Sequence, residues 1–227
     1  MSKENVLSEG ITLYNRNSFK EALTFFLSLP EDAEADSMEL MYYIGLCYAK
    51  LSRYDDALLY LEQVVTAGKN NNRVLQCRYV LAIIYALSGR KRLAQFELNK
   101  LLEIDYRPAS VYSSLAFISW QQDEVDECID YYRKALASDS ENLTAMNGLG
   151  YVLACENRDL TEALSLCKRA VNDAPNSAAC LDSLGWVYFK LGLLKESDKY
   201  VRQASRIDKD NLEIKDHLRL ITESRNT

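Results

Sequence analysis

Residues 180–208 read CLDSLGWVYFKLGLLKESDKYVRQASRID and contain the clearest copy of a pattern that recurs along the chain. Their Leu184-Gly185 pair has a counterpart, Leu149-Gly150, within the upstream stretch NGLGYVLACENRDLTEAL, residues 147–164. A small residue recurs every 34 to 37 residues along the chain, at Gly10, Gly45, Ala82, Ala116, Gly150 and Gly185. Repetition at a nearly constant period is the signature of a repeat architecture. The chain is therefore predicted to contain six similar units in series.

Two further sets of residues keep the same period. The second set is also small and follows the first by 12 or 13 residues, at Ala22, Ala57, Ala94, Cys128, Ala163 and Ser197. The third set lies seven residues later, at Val64, Leu101, Ala135, Ala170 and Ala204. Small side chains at a contact allow close packing, so these sets are predicted to mark contacts that recur in every unit.

These patterns resemble the tetratricopeptide repeat (TPR), a helix-turn-helix unit of about 34 residues, and bacterial members in particular. The resemblance implies an all-α fold, a right-handed α-solenoid superhelix of antiparallel helix pairs. Because one pair cannot bury its apolar faces alone, stacked neighbours should share one continuous core. The sequence departs from the family pattern at Glu9, where Leu is expected, and at Ser119, where an aromatic residue is expected.

The predicted organisation is a single TPR domain over residues 3–211, followed by a capping helix over 212–225. The repeats are placed at 3–37, 38–74, 75–108, 109–142, 143–177 and 178–211. Extra residues are assigned to loops around Gly68–Asn72 and near Glu156–Asp159. Ile214, Leu218 and Ile221 share one face of the last helix, which is expected to cover the otherwise exposed core of the sixth repeat.

Composition and charge exclude several classes of protein. Hydrophobic residues make up 48% and charged residues 26% of the chain, as in globular proteins rather than disordered ones. A β-sandwich needs many turns, and 8 Gly with 3 Pro are too few for it. The net charge of −6 disfavours nucleic-acid binding. Since no 18-residue apolar run or basic-then-apolar leader is present, we expect a cytoplasmic protein without membrane insertion.

No catalytic pattern stands out, so we expect no enzyme activity, cofactor or metal. His217 is the only histidine, and none of the cysteines has CxxC spacing, which disfavours zinc and haem sites. His217 is interpreted as a solvated or packing residue of the capping helix. The six cysteines are interpreted as buried and reduced, while proximity of Cys47 to Cys77 and of Cys155 to Cys180 is left open.

The acidic clusters are interpreted as structural. Asp55-Asp56 and Asp123-Glu124 are placed at the starts of second helices, where carboxylates interact favourably with the helix dipole. The acidic stretch 31–36 is interpreted as a solvated loop or cap, with attraction or repulsion of a charged partner as the alternative.

Function is therefore sought on a surface. We number the positions of a repeat from its first residue. Positions 2, 5, 9 and 12, which lie on the first helix, form a stripe roughly 130° around the helix axis from the positions that face the second helix of the same repeat. In the TPR family this stripe lines the concave face, where partners usually bind, so the resemblance implies a groove here. Both tryptophans of the chain lie on the stripe. The candidate partner-binding residues are Tyr42, Leu46, Tyr79, Ile83, Phe117, Trp120, Asn147, Tyr151, Asp182, Trp186 and Phe189.

The chemistry of the stripe separates two kinds of TPR protein. Chaperone-binding members hold an acidic peptide with Lys, Arg and Asn at positions 2, 5, 6 and 9, where this chain has no Lys or Arg. An aromatic groove instead suits a segment with apolar anchors. The predicted function is thus a non-enzymatic adaptor that binds another protein, although the aromatic residues could instead pack against adjacent repeats. The alternative is a self-associating structural subunit of a bacterial envelope or motility assembly.

Overall fold

The computed structural model describes residues 6–30, 35–68 and 72–225, and every regular segment in that part of the chain is an α-helix. The all-α prediction is confirmed. In chain order the helices are α1 (Ser8–Asn15), α2 (Phe19–Ser28), α3 (Ser37–Lys50), α4 (Tyr54–Ala67), α5 (Asn72–Leu87), α6 (Lys91–Leu102), α7 (Pro108–Trp120), α8 (Val125–Ser138), α9 (Leu143–Cys155), α10 (Leu160–Asp173), α11 (Ala178–Lys190), α12 (Leu194–Ile207) and α13 (Leu212–Arg225).

Contacts divide the chain into two compact units, residues 1–106 (unit 1) and 107–227 (unit 2). In unit 1 the helices pack as the pairs α1/α2, α3/α4 and α5/α6, and each pair contacts the next. In unit 2 the pairs are α7/α8, α9/α10 and α11/α12, and α13 packs against α12 and α11. Within each unit the first helices of successive pairs also touch.

The recurring small residues are where the two helices of a repeat cross. A Cβ atom added to Gly185 would lie 2.4 Å from Val201 Cγ2 and 3.1 Å from Val201 N. A Cβ atom added to Gly150 would lie 2.5 Å from Cys167 Sγ. The second set of small residues is fully buried at these crossings, at Ala22, Ala57, Ala94, Cys128, Ala163 and Ser197. The repeat period therefore follows from the close approach of the two helix backbones in each repeat.

All six first helices end in the same way. One residue in each following turn has positive φ: Asn17, Ser52, Gly89, Asp123, Asn157 and Gly192. The next residue donates its N–H to the carbonyl five residues earlier, as Leu193 N does to Tyr188 O at 2.9 Å. This is the Schellman motif, and Asn and Asp tolerate its left-handed residue better than most side chains. The chain thus forms six tight turns with few glycines.

These turns correct one sequence-based expectation. Asp123 is the left-handed turn residue after α7, and Glu124 is the N-cap of α8. The placement of Asp123 at the start of a second helix was therefore wrong. Asp55 and Asp56 do lie in the first turn of α4.

The expected insertions and the acidic stretch are only partly described. Residues 69–71 of the first predicted insertion and residues 31–34 of the acidic stretch lie outside the described residues. Asp36 caps α3 by accepting the N–H of Met38 at 2.9 Å. The second predicted insertion, Glu156–Asp159, is the loop between α9 and α10.

The cysteines are core residues. All six are free thiols, and only Cys155 is less than fully buried. Burial raises the pKa of four thiols to about 12, at Cys47, Cys77, Cys128 and Cys167. Such thiols remain protonated and unreactive near neutral pH.

The last helix extends the core of the sixth repeat. Ile214 and Ile221 of α13 are buried together with Leu181, Val201 and Ala204. Leu218 is partly buried and packs against the same cluster.

Candidate interaction cleft

An aromatic cleft lies within unit 2, on the first helices of its three repeats. Its volume is about 260 Å³. It is lined by five of the predicted site residues: Phe117, Trp120, Asn147, Tyr151 and Asp182. We call this feature the unit 2 cleft.

Four aromatic residues line the cleft. Tyr132 of α8 is only 6% exposed, and the other three, on the first helices, form what we call the aromatic wall. Phe117 and Trp120 stand one turn apart on α7, and Tyr151 stands on α9 at the repeat position equivalent to Phe117. The rings of Trp120 and Tyr151 meet edge to face, with centroids 6.5 Å apart. Phe117 is 40% exposed. The wall therefore combines rings held by packing with one that is open to a partner.

The polar lining residues are Asn147, Asp182, Ser183, Asn211 and Glu213. Among them, Asp182 is only 5% exposed. Its Oδ2 lies 2.9 Å from His217 Nδ1. Because a carboxylate only accepts, Nδ1 carries the proton in this pair. The second oxygen, Oδ1, has no hydrogen-bond partner, and neither has the buried Oδ1 of Asn147. Two residues that line the cleft thus each have a buried oxygen atom that accepts no hydrogen bond.

Helix α13 supplies another part of the cleft, which the sequence reasoning missed. Glu213 and Ile214 are lining residues, and the Tyr151 hydroxyl donates a hydrogen bond to Glu213. Burial, and secondarily this hydrogen bond, raises the pKa of Tyr151. The signal available in the sequence was that His217 follows Asp182 by one repeat length, 35 residues.

Trp186 and Phe189 are placed differently from the other aromatic residues of unit 2. Their rings stack on each other with centroids 5.0 Å apart. The His217 ring also stacks on Trp186, with centroids 4.0 Å apart and an interplanar angle of 15°. Neither residue is among those that line the unit 2 cleft. Trp186 therefore connects α11 to α13, while Trp120 is the tryptophan of the cleft.

The predicted site residues of unit 1 are more deeply packed. Tyr42 is buried, and its hydroxyl donates to Gln76 Oε1 at 2.7 Å. Leu46 is 4% exposed, while Tyr79 and Ile83 are half-buried. Their role in binding stays a prediction.

The lining of the unit 2 cleft includes no Lys or Arg. No group of three or more His, Cys, Asp or Glu side chains in the described part of the chain could hold a metal ion. Among the described helices, none is long and apolar enough to cross a membrane.

The fold and the cleft define an α-helical repeat protein that presents an aromatic, cation-free cleft. Models described as Tetratricopeptide repeat match residues 7–72 and 119–178, and residues 178–211. The chain belongs to the tetratricopeptide repeat family. Proteins of this family generally mediate protein–protein interactions and are generally non-enzymatic scaffolds.

Curated relatives share parts of the chain. It is 29% identical over 132 residues to the type IV pilus assembly protein PilF of Pseudomonas aeruginosa, covering 57% of this chain and 52% of PilF. It is 22% identical over 227 residues to the TPR repeat-containing protein MJ1428 of Methanocaldococcus jannaschii, covering 96% of this chain and 39% of that relative. The chain therefore spans about half or less of the length of these relatives.

Solved structures share the fold at low sequence identity. A tetratricopeptide repeat protein from Parabacteroides merdae has a TM-score of 0.73 at 13% identity, covering 96% of this chain and 83% of that one. The Cut9–Hcn1 hetero-tetramer structure has a TM-score of 0.77 at 14% identity, covering 95% of this chain and 42% of that one. These likenesses support the all-α repeat array.

Proposed function

We propose that this protein is a non-enzymatic adaptor and that its unit 2 cleft receives an apolar-anchored segment of another protein. The observation that carries the proposal is the open aromatic wall of the cleft. Phe117 stays 40% exposed beside Trp120 and Tyr151, so an incoming side chain can be buried among three rings. Aromatic residues in pockets are the usual energetic centres of protein interfaces.

A binding role fits the chemistry of the cleft better than catalysis. The single histidine of the chain, His217, is hydrogen-bonded to Asp182 and stacked on Trp186. Its ring is buried, so this pair serves to connect α13 to α11. The unit 2 cleft is thus better suited to binding a partner than to catalysing a reaction.

Site-specific photocrosslinking tests the proposal. A photoreactive phenylalanine analogue at Phe117 is expected to crosslink a defined segment of a partner in the native cell, identified by mass spectrometry. The matched control places the analogue at Ile207, which is also in unit 2 and 50% exposed but does not line the cleft. Identical crosslinked products at both positions would contradict a cleft-specific partner.

The second candidate is a self-associating structural subunit of an envelope or motility assembly. The likeness to a type IV pilus assembly protein over 57% of the chain favours it. Light scattering over a range of protein concentrations separates the two. A concentration-dependent rise in mass favours the subunit, and a constant monomer mass favours the adaptor.

A further inference from the structure

The unit 2 cleft leaves a buried carboxylate oxygen without a donor. Asp182 lines the cleft and is 95% buried, but His217 uses only its Oδ2. Its Oδ1 has no partner, and a buried acceptor without a donor costs free energy. This oxygen has almost no solvent-accessible surface, so a donor from outside the chain would relieve that cost once the side chains that cover it shifted.

The charge of the cleft indicates what kind of donor fits. Its lining has two acidic residues, Asp182 and Glu213, and no Lys or Arg. Asn147 adds a buried amide oxygen that is also unpartnered. A carboxylate-bearing segment would be repelled here, whereas a cation would gain charge-assisted hydrogen bonds.

The aromatic wall favours the same occupant. Phe117, Trp120 and Tyr151 provide ring surfaces that attract a cation. They also suit the aliphatic stem of a long basic side chain, whose charged head then lies at the acidic end. Both halves of a Lys or Arg side chain therefore find complementary surface in one cleft.

We propose that the unit 2 cleft selects a partner segment that inserts a Lys or Arg side chain, with its cationic head at Asp182 and its stem against the aromatic wall. This inference rests on the proposed function, binding of a polypeptide segment in the cleft. The volume of about 260 Å³ is below the roughly 300–1,000 Å³ of sites that enclose small molecules, and it suits one or two side chains.

A peptide selection tests this inference and the proposed function separately. Random dodecapeptides displayed on phage are selected on the full chain and counter-selected on Trp120→Ala. We expect the enriched peptides to carry a Lys or Arg between apolar residues. Synthetic peptides with that residue changed to citrulline or norleucine are expected to bind at least about tenfold more weakly.

Substitutions in the protein then locate the cation. Asp182→Asn is expected to remove most of the preference for Lys or Arg over the neutral peptides. Asn147→Asp is expected to increase it, and Glu213→Gln to reduce it by about two- to threefold. Asp216→Asn is the charge-matched control, because Asp216 is an exposed residue of α13 that is paired with Arg219 and does not line the cleft.

The outcomes separate the two ideas. Trp120-dependent peptides without Lys or Arg would overturn the cation inference and leave the proposed function standing. A selection that yields no Trp120-dependent peptide would overturn both. If Asp182→Asn unfolds α13, seen as a lower melting temperature, Asn147→Asp and Glu213→Gln decide the result, and an unchanged preference in both would overturn the inference.

Discussion

At the ninth position of each repeat, which lies on its first helix, unit 1 and unit 2 carry different kinds of side chain. Unit 1 has aliphatic residues there, with Leu46 4% exposed, whereas unit 2 has aromatic residues, with Phe117 40% exposed. At the fifth position of the repeat, too, a side chain of unit 1 has its hydrogen bond satisfied within the chain, and one of unit 2 is satisfied only in part. Tyr42 of unit 1 is bonded to Gln76, while Asp182 of unit 2 retains an unpartnered oxygen.

Repeat position alone therefore does not assign a function to a residue. The same helical phase places side chains on equivalent sites in both units, but the surrounding residues decide whether these sites are filled or open. In unit 1 the neighbouring repeat satisfies Tyr42. In unit 2, α13 covers Trp186 and leaves Phe117 beside an open cleft.

Removal of residues 212–227 should have the largest effect, because α13 is specific to unit 2. It would expose the core that Ile214 and Ile221 cover. At roughly 1.5–3 kcal/mol for each buried aliphatic side chain, the free energy of unfolding should fall by about 3–6 kcal/mol. Urea unfolding followed by tryptophan fluorescence measures this for unit 2, which holds both tryptophans. An unchanged urea midpoint would show that α13 does not contribute to the stability of unit 2.

Leu46→Ala and Phe117→Ala test the comparison at one repeat position. Leu46→Ala should cost about 2–5 kcal/mol of stability, because it leaves a cavity in a packed site. Phe117→Ala should leave the melting temperature nearly unchanged and weaken cleft-dependent binding by about 2 kcal/mol, roughly thirtyfold. Thermal unfolding monitored by circular dichroism and titration with a selected peptide measure the two effects. Equal losses of stability would show that the two sites do not differ.

The fold was predictable from sequence because close helix crossings tolerate only small side chains. That requirement repeats at Gly45, Gly150 and Gly185, and it leaves a visible period. The turn residues were less predictable, since Asp123 adopts a left-handed conformation that sequence patterns associate mainly with glycine.

The candidate site was predictable only in outline. Helical phase indicated Phe117, Trp120 and Tyr151, which do share one cleft. It could not show that His217 binds Asp182, because that contact depends on how α13 packs one repeat away. It also could not distinguish the buried Leu46 from the exposed Phe117, since burial is set by neighbouring side chains.

Gly185→Ala and Gly45→Ala compare the helix crossings of the two units. At Gly185 the new methyl group would meet backbone atoms, Val201 N at 3.1 Å and Ser197 O at 3.3 Å. We expect a loss of about 1–3 kcal/mol. At Gly45 it would meet only side-chain atoms, chiefly of Leu61, which can shift, and alanine also gains helix propensity. Urea unfolding should therefore rank Gly185→Ala as the more destabilising, and the reverse order would contradict backbone contact as the cause.

The smallest expected effects concern one tyrosine hydroxyl in each unit. Tyr151→Phe removes the hydrogen bond to Glu213, and Tyr42→Phe removes the one to Gln76. Each should cost about 0.5–1.5 kcal/mol at neutral pH, with the bond to charged Glu213 at the upper end.

The pH dependence of these variants provides the finer test. Burial raises the pKa of both phenols, and at Tyr151 the bond to Glu213 raises it further. A raised folded-state pKa gives stability that is fully present below about pH 10, the pKa of an unfolded tyrosine, and is lost as the pH rises further. The stability difference between wild type and each phenylalanine variant should therefore be constant from pH 7 to 9 and narrow above about pH 10. Chemical unfolding at several pH values measures it, and a difference that widens above pH 10 would mean that these phenols ionise more readily in the folded protein than in the unfolded one.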